Sequence, residues 1–422
     1  MPCVFQSLPK IKLPRKRGHR LAKALLHIGL EKTGTTSIQE FLQINRRLLL
    51  DQHRIWVPDY LGKGSQWLLA ALAYDNSRED DLTSNLGSPA SRQSKLHETR
   101  RKITYSVRHQ PAELFCFSSE HLSSRLTTKT EIQALRHFLL GLFNEISIVI
   151  YVREPIRMAI SRQCTVVKQG LGGYQLPPPA QVAAALDFRN IIERWEDAFT
   201  GNVQVRLYDE ISQDFDLITD FCLLLELAPN RDPLNQPGRA NPSLSMENMR
   251  LLSAINTAAR ERCGGSLPGA VLQQITAILE ENKNGAASYY QPTTAEQQAY
   301  QSHFSEQTEW LFRNYFPERT YQWSPPSAQK TFQDRLDEPL PSLTPAEQTL
   351  CELVANLASN NTLACAEIAE HLAQLAWKIR GKEPLSPHDQ ETCERYCSQI
   401  RSAMQQSECI KKPSTASISG AA

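Results

Sequence analysis

The sequence predicts an α/β protein in which a parallel sheet carries helices on both faces and is followed by a C-terminal α-helical region. Three observations predict it. Short apolar runs typical of buried strands alternate with amphipathic stretches of helical periodicity. Strands that are separated by helical stretches favour parallel pairing. Beyond Trp323 the strand-like runs stop and amphipathic helical patterns take their place.

The composition is that of a globular protein with one large domain and a smaller one. The chain has 422 residues, of which 41% are hydrophobic and 22% are charged. Its net charge of +1 gives no electrostatic reason to expect nucleic acid as a partner. No apolar run approaches the length of a membrane span, and no signal-peptide pattern is present. We therefore expect a cytoplasmic protein with no membrane span.

The pattern of basic, Pro-rich and amphipathic segments predicts five regions along the chain. They are a disordered basic arm (1–20), the α/β domain (21–325), a linker (326–343), a helical bundle extension (344–410) and a disordered tail (411–422). A capping box with proline at the first helical position, Thr344 to Glu347, opens the bundle. We expect its apolar stripes to pack on the α/β domain, on a protein partner or on a second copy.

The first element of the α/β domain is the most informative. An apolar run from Leu25 to Ile28 predicts a buried strand, and a tight loop with Gly29, Lys32 and Gly34 follows it. Hydroxyl residues then open a predicted helix, whose apolar face consists of Ile38, Phe41, Leu42 and Leu48. A loop of small residues at a helix N-terminus offers free backbone N–H groups to an anion. This element predicts a phosphate or sulfate site.

The loop differs from the Walker loop of ATPases and GTPases. Gly29 and Gly34 have the Walker separation, but Thr35 stands where the Walker lysine would be. The next apolar run ends in Ser118 and Ser119 instead of the aspartate that usually holds magnesium. The sequence thus predicts a phosphate loop without an evident metal-binding half.

Two motifs resemble those of sulfotransferases that use 3′-phosphoadenosine 5′-phosphosulfate (PAPS). The first, which resembles the family's 5′-phosphosulfate loop, is Lys32-Thr33-Gly34-Thr35-Thr36. The second is an arginine at a strand end with a serine eight residues later, here Arg153 and Ser161. Weaker similarities continue to Tyr315-Phe316-Pro317. The resemblance spans roughly residues 21 to 325, and it is greatest to bacterial sulfotransferases with a P-loop NTPase-like fold.

The resemblance implies where PAPS would bind and that no metal is needed. The 5′-phosphosulfate would be held by the loop and the start of the helix, namely Lys32, Thr33, Gly34, Thr35, Thr36 and Ser37. Lys32 would also balance the charge that develops on the leaving phosphate. Arg153 and Ser161 would hold the 3′-phosphate, and Arg239 would belong to the family's later loop over that phosphate.

A catalytic base is expected at the end of the strand that follows the loop helix. This family uses either glutamate or histidine there, and the sequence offers Glu120 and then His121. Glu120 is the first choice and His121 the second. The structural alternatives are that Glu120 caps the next helix and that His121 is a packed ring. His27, just before the loop, is expected to be a core histidine.

The predicted function is transfer of the sulfuryl group from PAPS to a hydroxyl or amine of an unidentified small-molecule or glycan acceptor. Two alternatives remain open at this stage. One is a nucleotide or small-molecule kinase on a related loop, and the other is a non-catalytic sulfotransferase-like scaffold.

Overall fold

The structure is a computed structural model, and it describes residues 22–62, 64–75, 77–208, 216–228, 234–238, 243–263, 266–267, 269–281, 289–319 and 323. The predicted basic arm, linker, helical bundle extension and tail lie outside the described residues, as does Arg239. The chain divides into two compact units. The first comprises Met1–Val152 and Phe188–Gly238, and the second comprises Arg153–Asp187 and Arg239–Ala422.

The first unit contains a five-stranded parallel sheet in the order β2-β3-β1-β4-β5. Its strands are β1 (Lys23–His27), β2 (Ile55–Trp56), β3 (Leu114–Ser118), β4 (Glu145–Val152) and β5 (Val203–Leu207). His27, the last residue of β1, is in register with Ser118, the last residue of β3. The predicted α/β class with a parallel sheet is therefore confirmed.

The described residues form fifteen α-helices. Those of the first unit are α1 (Thr35–Ile44), α2 (Arg46–His53), α3 (Leu68–Ala71), α4 (Asp81–Leu86), α5 (Pro89–His109), α6 (His121–Arg125), α7 (Lys129–Leu140), α10 (Phe188–Ala198) and α11 (Leu217–Leu224). Those of the second unit are α8 (Pro155–Lys168), α9 (Pro179–Val182), α12 (Met246–Cys263), α13 (Gly269–Glu281), α14 (Thr294–His303) and α15 (Ser305–Tyr315). Among these helices, none combines the length and the apolar character that crossing a bilayer requires.

Both faces of the central strands are buried, as expected for parallel strands covered by helices. On one face, apolar residues of the sheet pack with α1 and α11; they include Leu25, Cys116, Val149, Ile38, Phe41, Leu42 and Phe221. The residues that alternate with them along the strands are buried as well, among them Leu26, Phe117, Ile148 and Ile150. The core thus fixes the strand ends from which the candidate site is built.

The helix after the loop is shorter than the sequence pattern predicts. Its apolar face was expected to include Leu48, but α1 ends at Ile44 and α2 begins at Arg46. At the break, Asn45 Nδ2 donates hydrogen bonds to the carbonyls of Phe41 (2.9 Å) and Asn235 (2.8 Å). Asparagine competes with the helix by bonding the backbone in this way. The change of direction buries Leu49, and Leu48 is only partly buried.

The second unit is organised around α8, which begins at Pro155 as predicted, with proline in the first helical turn. Helices α12, α13 and α14 contact α8. Asn256 of α12 donates from Nδ2 to the carbonyl of Val167 (2.9 Å), and Arg260 donates to the carbonyl of Gly170 (2.9 Å). These bonds join α12 to the last turn of α8 and to the residues just after it, where backbone carbonyls can accept hydrogen bonds from outside the helix.

Candidate functional site

The candidate site is built on the β1–α1 loop, residues 28–34. Three of its residues have positive φ angles: Gly29 (45°), Lys32 (69°) and Gly34 (77°). For a residue with a side chain, the left-handed conformation costs about 1–2 kcal/mol. Non-glycine residues held in such conformations cluster at functional sites. The backbone conformation of Lys32 therefore supports a functional role for this residue, in addition to the charge of its side chain.

Gly34 is the residue that ends the loop and precedes α1. A Cβ atom there would lie 2.2 Å from Leu217 Cδ2 and 2.9 Å from Tyr208 Cε2, so the position has no room for a side chain. Gly34 also lacks a side chain that could cap α1, and the first turn contains no acidic residue. Since first-turn N–H groups have no partner inside a helix, the start of α1 is suited to an anion.

Hydrogen bonds hold the loop in place from several sides. Ile28 N donates to Val149 O of β4 (3.0 Å), and the hydroxyl of Ser123 in α6 donates to Gly29 O. Thr33 is fully buried, and its hydroxyl donates to Leu30 O (2.7 Å). The Thr33 hydroxyl therefore shapes the loop itself. A loop fixed in advance is what electrostatic stabilisation of an anion requires.

The first helical turn presents its three hydroxyl residues differently. Thr35 is buried, with its Cγ2 methyl group 2.4 Å from where a Cβ on Gly29 would stand. Thr36 is exposed and Ser37 is partly buried. Thr35 thus packs against the loop, and Thr36 faces the solvent side of the helix start.

The structure brings Glu120 to this loop. Ser119 N donates to His27 O (3.0 Å), which joins the segment after β3 to the end of β1. A Cβ on Gly29 would lie 3.6 Å from Cα of Glu120. The side chain of Glu120 is 24% exposed, so solvent and ligands can reach its carboxylate. Lys32 and Glu120 therefore belong to segments that meet at the ends of adjacent strands.

The carboxylate of Glu120 does not cap the following helix, which was the structural alternative for this residue. Glu120 precedes α6 but makes no side-chain cap hydrogen bond. Its Oε2 atom accepts a hydrogen bond of 2.6 Å from Gln39 Nε2, and its Oε1 atom lies 3.9 Å from His121 Nε2. Among the described residues, His121 Nδ1 is buried without a hydrogen-bond partner.

Gln39 is a residue of the candidate site that the sequence motifs do not predict. It stands four residues after Thr35 on α1, and its bond to Glu120 joins positions 81 residues apart. The spacing on the helix is a signal that could have placed Gln39 near the loop. Its partner could be found only once β1 and β3 were known to be neighbours.

His27 is a core histidine, as expected. It is fully buried, with Nδ1 2.8 Å from the hydroxyl of Ser118. Its ring makes edge contacts with Tyr151 and Phe221. Burial lowers the pKa of His27 to about 3, because the apolar surroundings disfavour the charged ring. His27 is therefore neutral at physiological pH, and it stabilises the end of β1.

Arg153 and Ser161 lie in the second unit. Arg153 follows the last residue of β4 and is partly buried, and Ser161 lies in the second turn of α8. Arg157 pairs with Glu154 at 2.8 Å. The predicted role of Arg153, Ser161 and Arg239 in holding a 3′-phosphate stays a prediction.

Comparisons with known proteins give limited information. No protein-family model matches the sequence, and no curated protein matches it. Among solved structures, a sulfotransferase from Alicyclobacillus acidocaldarius is similar to 51% of this chain and 84% of its own, at 15% identity and a TM-score of 0.33. That score is too low for the likeness to carry an argument about function.

Proposed function

We propose that this protein is a sulfotransferase that transfers the sulfuryl group of PAPS to a hydroxyl or amine, on a P-loop NTPase-like sulfotransferase fold. The observation that supports this most is the position of Glu120. Its carboxylate belongs to a segment that lies against the β1–α1 loop, and that loop presents Lys32 and the N-terminus of α1. A base beside an anion site is the minimum that sulfuryl transfer needs.

Residues of the first unit would have three separate roles in the reaction: donor binding, proton transfer and charge stabilisation. Backbone N–H groups of the loop and of the first turn of α1 bind the 5′-phosphosulfate. Glu120 takes the proton of the acceptor as the acceptor oxygen or nitrogen bonds to sulfur, and His121 is the alternative base. Lys32 stabilises the negative charge on the 5′-phosphate as its bond to sulfur breaks. The products are the sulfated acceptor and adenosine 3′,5′-bisphosphate.

In this proposal the 3′-phosphate is the second anionic group that needs a partner. Arg153 would bind it with two parallel hydrogen bonds from its guanidinium group, and Ser161 would add a hydroxyl. Arg239 would contribute from the later loop. Two anion sites distinguish PAPS from donors that carry phosphate only at the 5′ position.

A kinase on the same loop is the second candidate, because a carboxylate beside a phosphate loop is also where a magnesium ligand would stand. The metal requirement separates the two reactions. Full-length protein would be incubated with an acceptor mixture and either ³⁵S-labelled PAPS in EDTA or γ-³²P-labelled ATP with magnesium. We expect labelled sulfate on an acceptor in EDTA. Labelled phosphate with magnesium, and no sulfate transfer, would favour the kinase.

A further inference from the structure

Asp220 of α11 is a buried carboxylate that has no part in the reaction proposed above. It is only 3% exposed. The hydroxyl of Tyr151 donates to its Oδ2 atom (2.6 Å), and Arg206 donates to Oδ2 from Nε (2.8 Å) and to Oδ1 from Nη2. A buried charge is costly unless it is paired and hydrogen-bonded. These three bonds meet both conditions, so the first unit keeps a fully bonded carboxylate in its interior.

The carboxylate bridges two adjacent strands near their C-terminal ends. Tyr151 of β4 is in register with Arg206 of β5, and each is the last residue but one of its strand. Hydrogen bonds weaken steeply when their geometry is poor. Because Asp220 must reach donors on both strands, the bonds hold α11 at one place on the sheet.

Helix α11 contacts the β1–α1 loop through Leu217, which lies one turn before Asp220. A Cβ on Gly34 would lie only 2.2 Å from Leu217 Cδ2, and Gly34 is the residue from which α1 begins. One residue after Asp220, the ring of Phe221 makes an edge contact with His27, with 5.7 Å between the ring centres. His27 is the last residue of β1. Helix α11 therefore contacts the chain on both sides of the loop.

Both donors to Asp220 stay protonated at physiological pH. Burial, and then the hydrogen bond to Asp220, raise the pKa of the Tyr151 hydroxyl far above its ordinary value. Burial lowers the pKa of the Arg206 guanidinium, but the bond to Asp220 and its charge outweigh burial, and the pKa is raised. The bridge is therefore a constant feature of the fold.

Stability alone does not account for an ion pair at this place. Apolar residues of the same shape would hold α11 on the sheet about as strongly. The rest of the contact is already apolar and includes Ile218, Phe221 and Val149. Apolar contacts are not directional, so they define a position less sharply than hydrogen bonds do. The bridge adds one defined position of α11 relative to β4 and β5.

We infer that Asp220 is a positioning residue for the candidate anion site. By fixing α11 it places Leu217 against Gly34, and Gly34 sets the direction in which the first N–H groups of α1 point. The inference deepens the proposed function, and it rests on that function only for the identity of the anion, the 5′-phosphosulfate of PAPS.

Hydrogen exchange in the full-length protein without ligand tests the positioning itself. Mass spectrometry would follow the backbone amides of residues 28–37. Asp220→Asn should raise their exchange rate about tenfold, because one of its two oxygens becomes a donor group that faces other donors. Tyr151→Phe keeps the ring but removes one bond, and it should raise the rate by a smaller factor. Glu79→Gln is the matched control: it makes the same chemical change at the partner of buried Arg92 and should leave these amides unchanged.

Calorimetry with adenosine 3′,5′-bisphosphate tests the link to the donor. Asp220→Asn should weaken the affinity about tenfold, and Leu217→Ala should weaken it as well. If both act through the contact at Gly34, the double variant should bind about as tightly as the weaker single variant. A general loss of stability would not produce this non-additivity. Tyr151→Phe takes the place of Asp220→Asn in both measurements if the latter does not fold.

Three results would overturn the inference. The first is wild-type exchange of residues 28–37 in Tyr151→Phe and, where it folds, in Asp220→Asn. The second is an equal rise in exchange in Glu79→Gln, and the third is simple addition of the two effects on affinity. If wild type does not bind the bisphosphate, the proposed function fails, and the exchange rates still decide whether Asp220 positions the loop.

Discussion

The amide of Gln39 donates a 2.6 Å hydrogen bond to the carboxylate of Glu120, and this bond ties α1 to the segment that follows β3. The donor stands one turn beyond Thr35, on the helix whose first turn is proposed to bind the 5′-phosphosulfate. The acceptor is the residue proposed to take the proton. The bond therefore sets the position of the base relative to the loop that would hold the sulfuryl group.

Gln39→Leu should lower turnover and leave donor binding intact. The substitution removes the hydrogen bond to Glu120 but keeps a side chain of similar size on α1. A carboxylate that is displaced by about 1 Å can cost roughly 100-fold in rate. Turnover with labelled PAPS, the affinity for adenosine 3′,5′-bisphosphate and the melting temperature would be measured together. Unchanged turnover would show that Gln39 does not position the base.

Glu120→Gln and His121→Asn should separate the two candidate bases. The variant that removes the true base should lose about 100- to 10,000-fold in turnover. Its affinity for adenosine 3′,5′-bisphosphate should stay near that of wild type, because a base acts on the acceptor. We expect this result for Glu120→Gln. Glu113→Gln, at an exposed glutamate just before β3, is the matched control. Full turnover in Glu120→Gln would exclude Glu120.

Gly34→Ala should be more destabilising than Gly201→Ala, although the two glycines have similar φ angles of 77° and 74°. At Gly201 nothing lies within 4 Å of the added Cβ, so only the backbone cost of about 1–2 kcal/mol applies. At Gly34 the Cβ would collide with Leu217, which adds about 1–3 kcal/mol of overpacking. Urea denaturation would give the free energy of unfolding of both variants.

Leu217→Ala should cost less stability in the Gly34→Ala background than in wild type, because in that background it also removes the colliding side chain. Equal stability losses in the two glycine variants would contradict the close contact between Gly34 and Leu217.

His27 should make the protein sensitive to acid. The unfolded chain binds a proton at this side chain as the pH falls through about 6.5, whereas the native chain does so only near pH 3. Between these values the unfolded state binds more protons, so the free energy of unfolding falls as the pH falls. At pH 5, protonation of His27 in the unfolded chain lowers the free energy of unfolding by about 2 kcal/mol relative to neutral pH.

His27→Gln should remove this part of the pH dependence, as measured by urea unfolding at pH 7.5 and pH 5. His109→Gln, at an exposed histidine of α5, should keep the wild-type dependence. The account of His27 fails if wild type and His27→Gln lose the same stability between the two pH values.

Three of the strands could be predicted from apolar runs in the sequence. The position of the site segments could be predicted from the order in which strands and helices alternate. Apolar runs mark β1, β3 and β4, and parallel strands end at the same edge of a sheet. That rule predicts that three segments, Gly29 to Thr36, Ser118 to His121 and Arg153 to Ser161, lie at one edge. The pairing of β1 with β3 confirms this for the first two segments. For the third it stays a prediction.

The parts that could not be predicted depend on contacts between distant positions. The end of α1 at Asn45 depends on a bond to Asn235, which lies 190 residues away. The left-handed conformation of Lys32 depends on the surrounding loop, since lysine has no preference for it. β2 has two residues, too few to give a periodic pattern. The bond between Gln39 and Glu120 needs the strand order.

Calorimetry of adenosine 3′,5′-bisphosphate and of AMP in EDTA tests the central claim of two anion sites most directly. Wild type should bind the bisphosphate more tightly than AMP. Lys32→Ala should weaken both ligands, and Arg153→Ala should remove the preference for the bisphosphate. Lys23→Ala, at an exposed lysine that pairs with Glu145 at the other end of β1, should change neither. An Arg153→Ala variant that keeps the full wild-type preference would contradict the account.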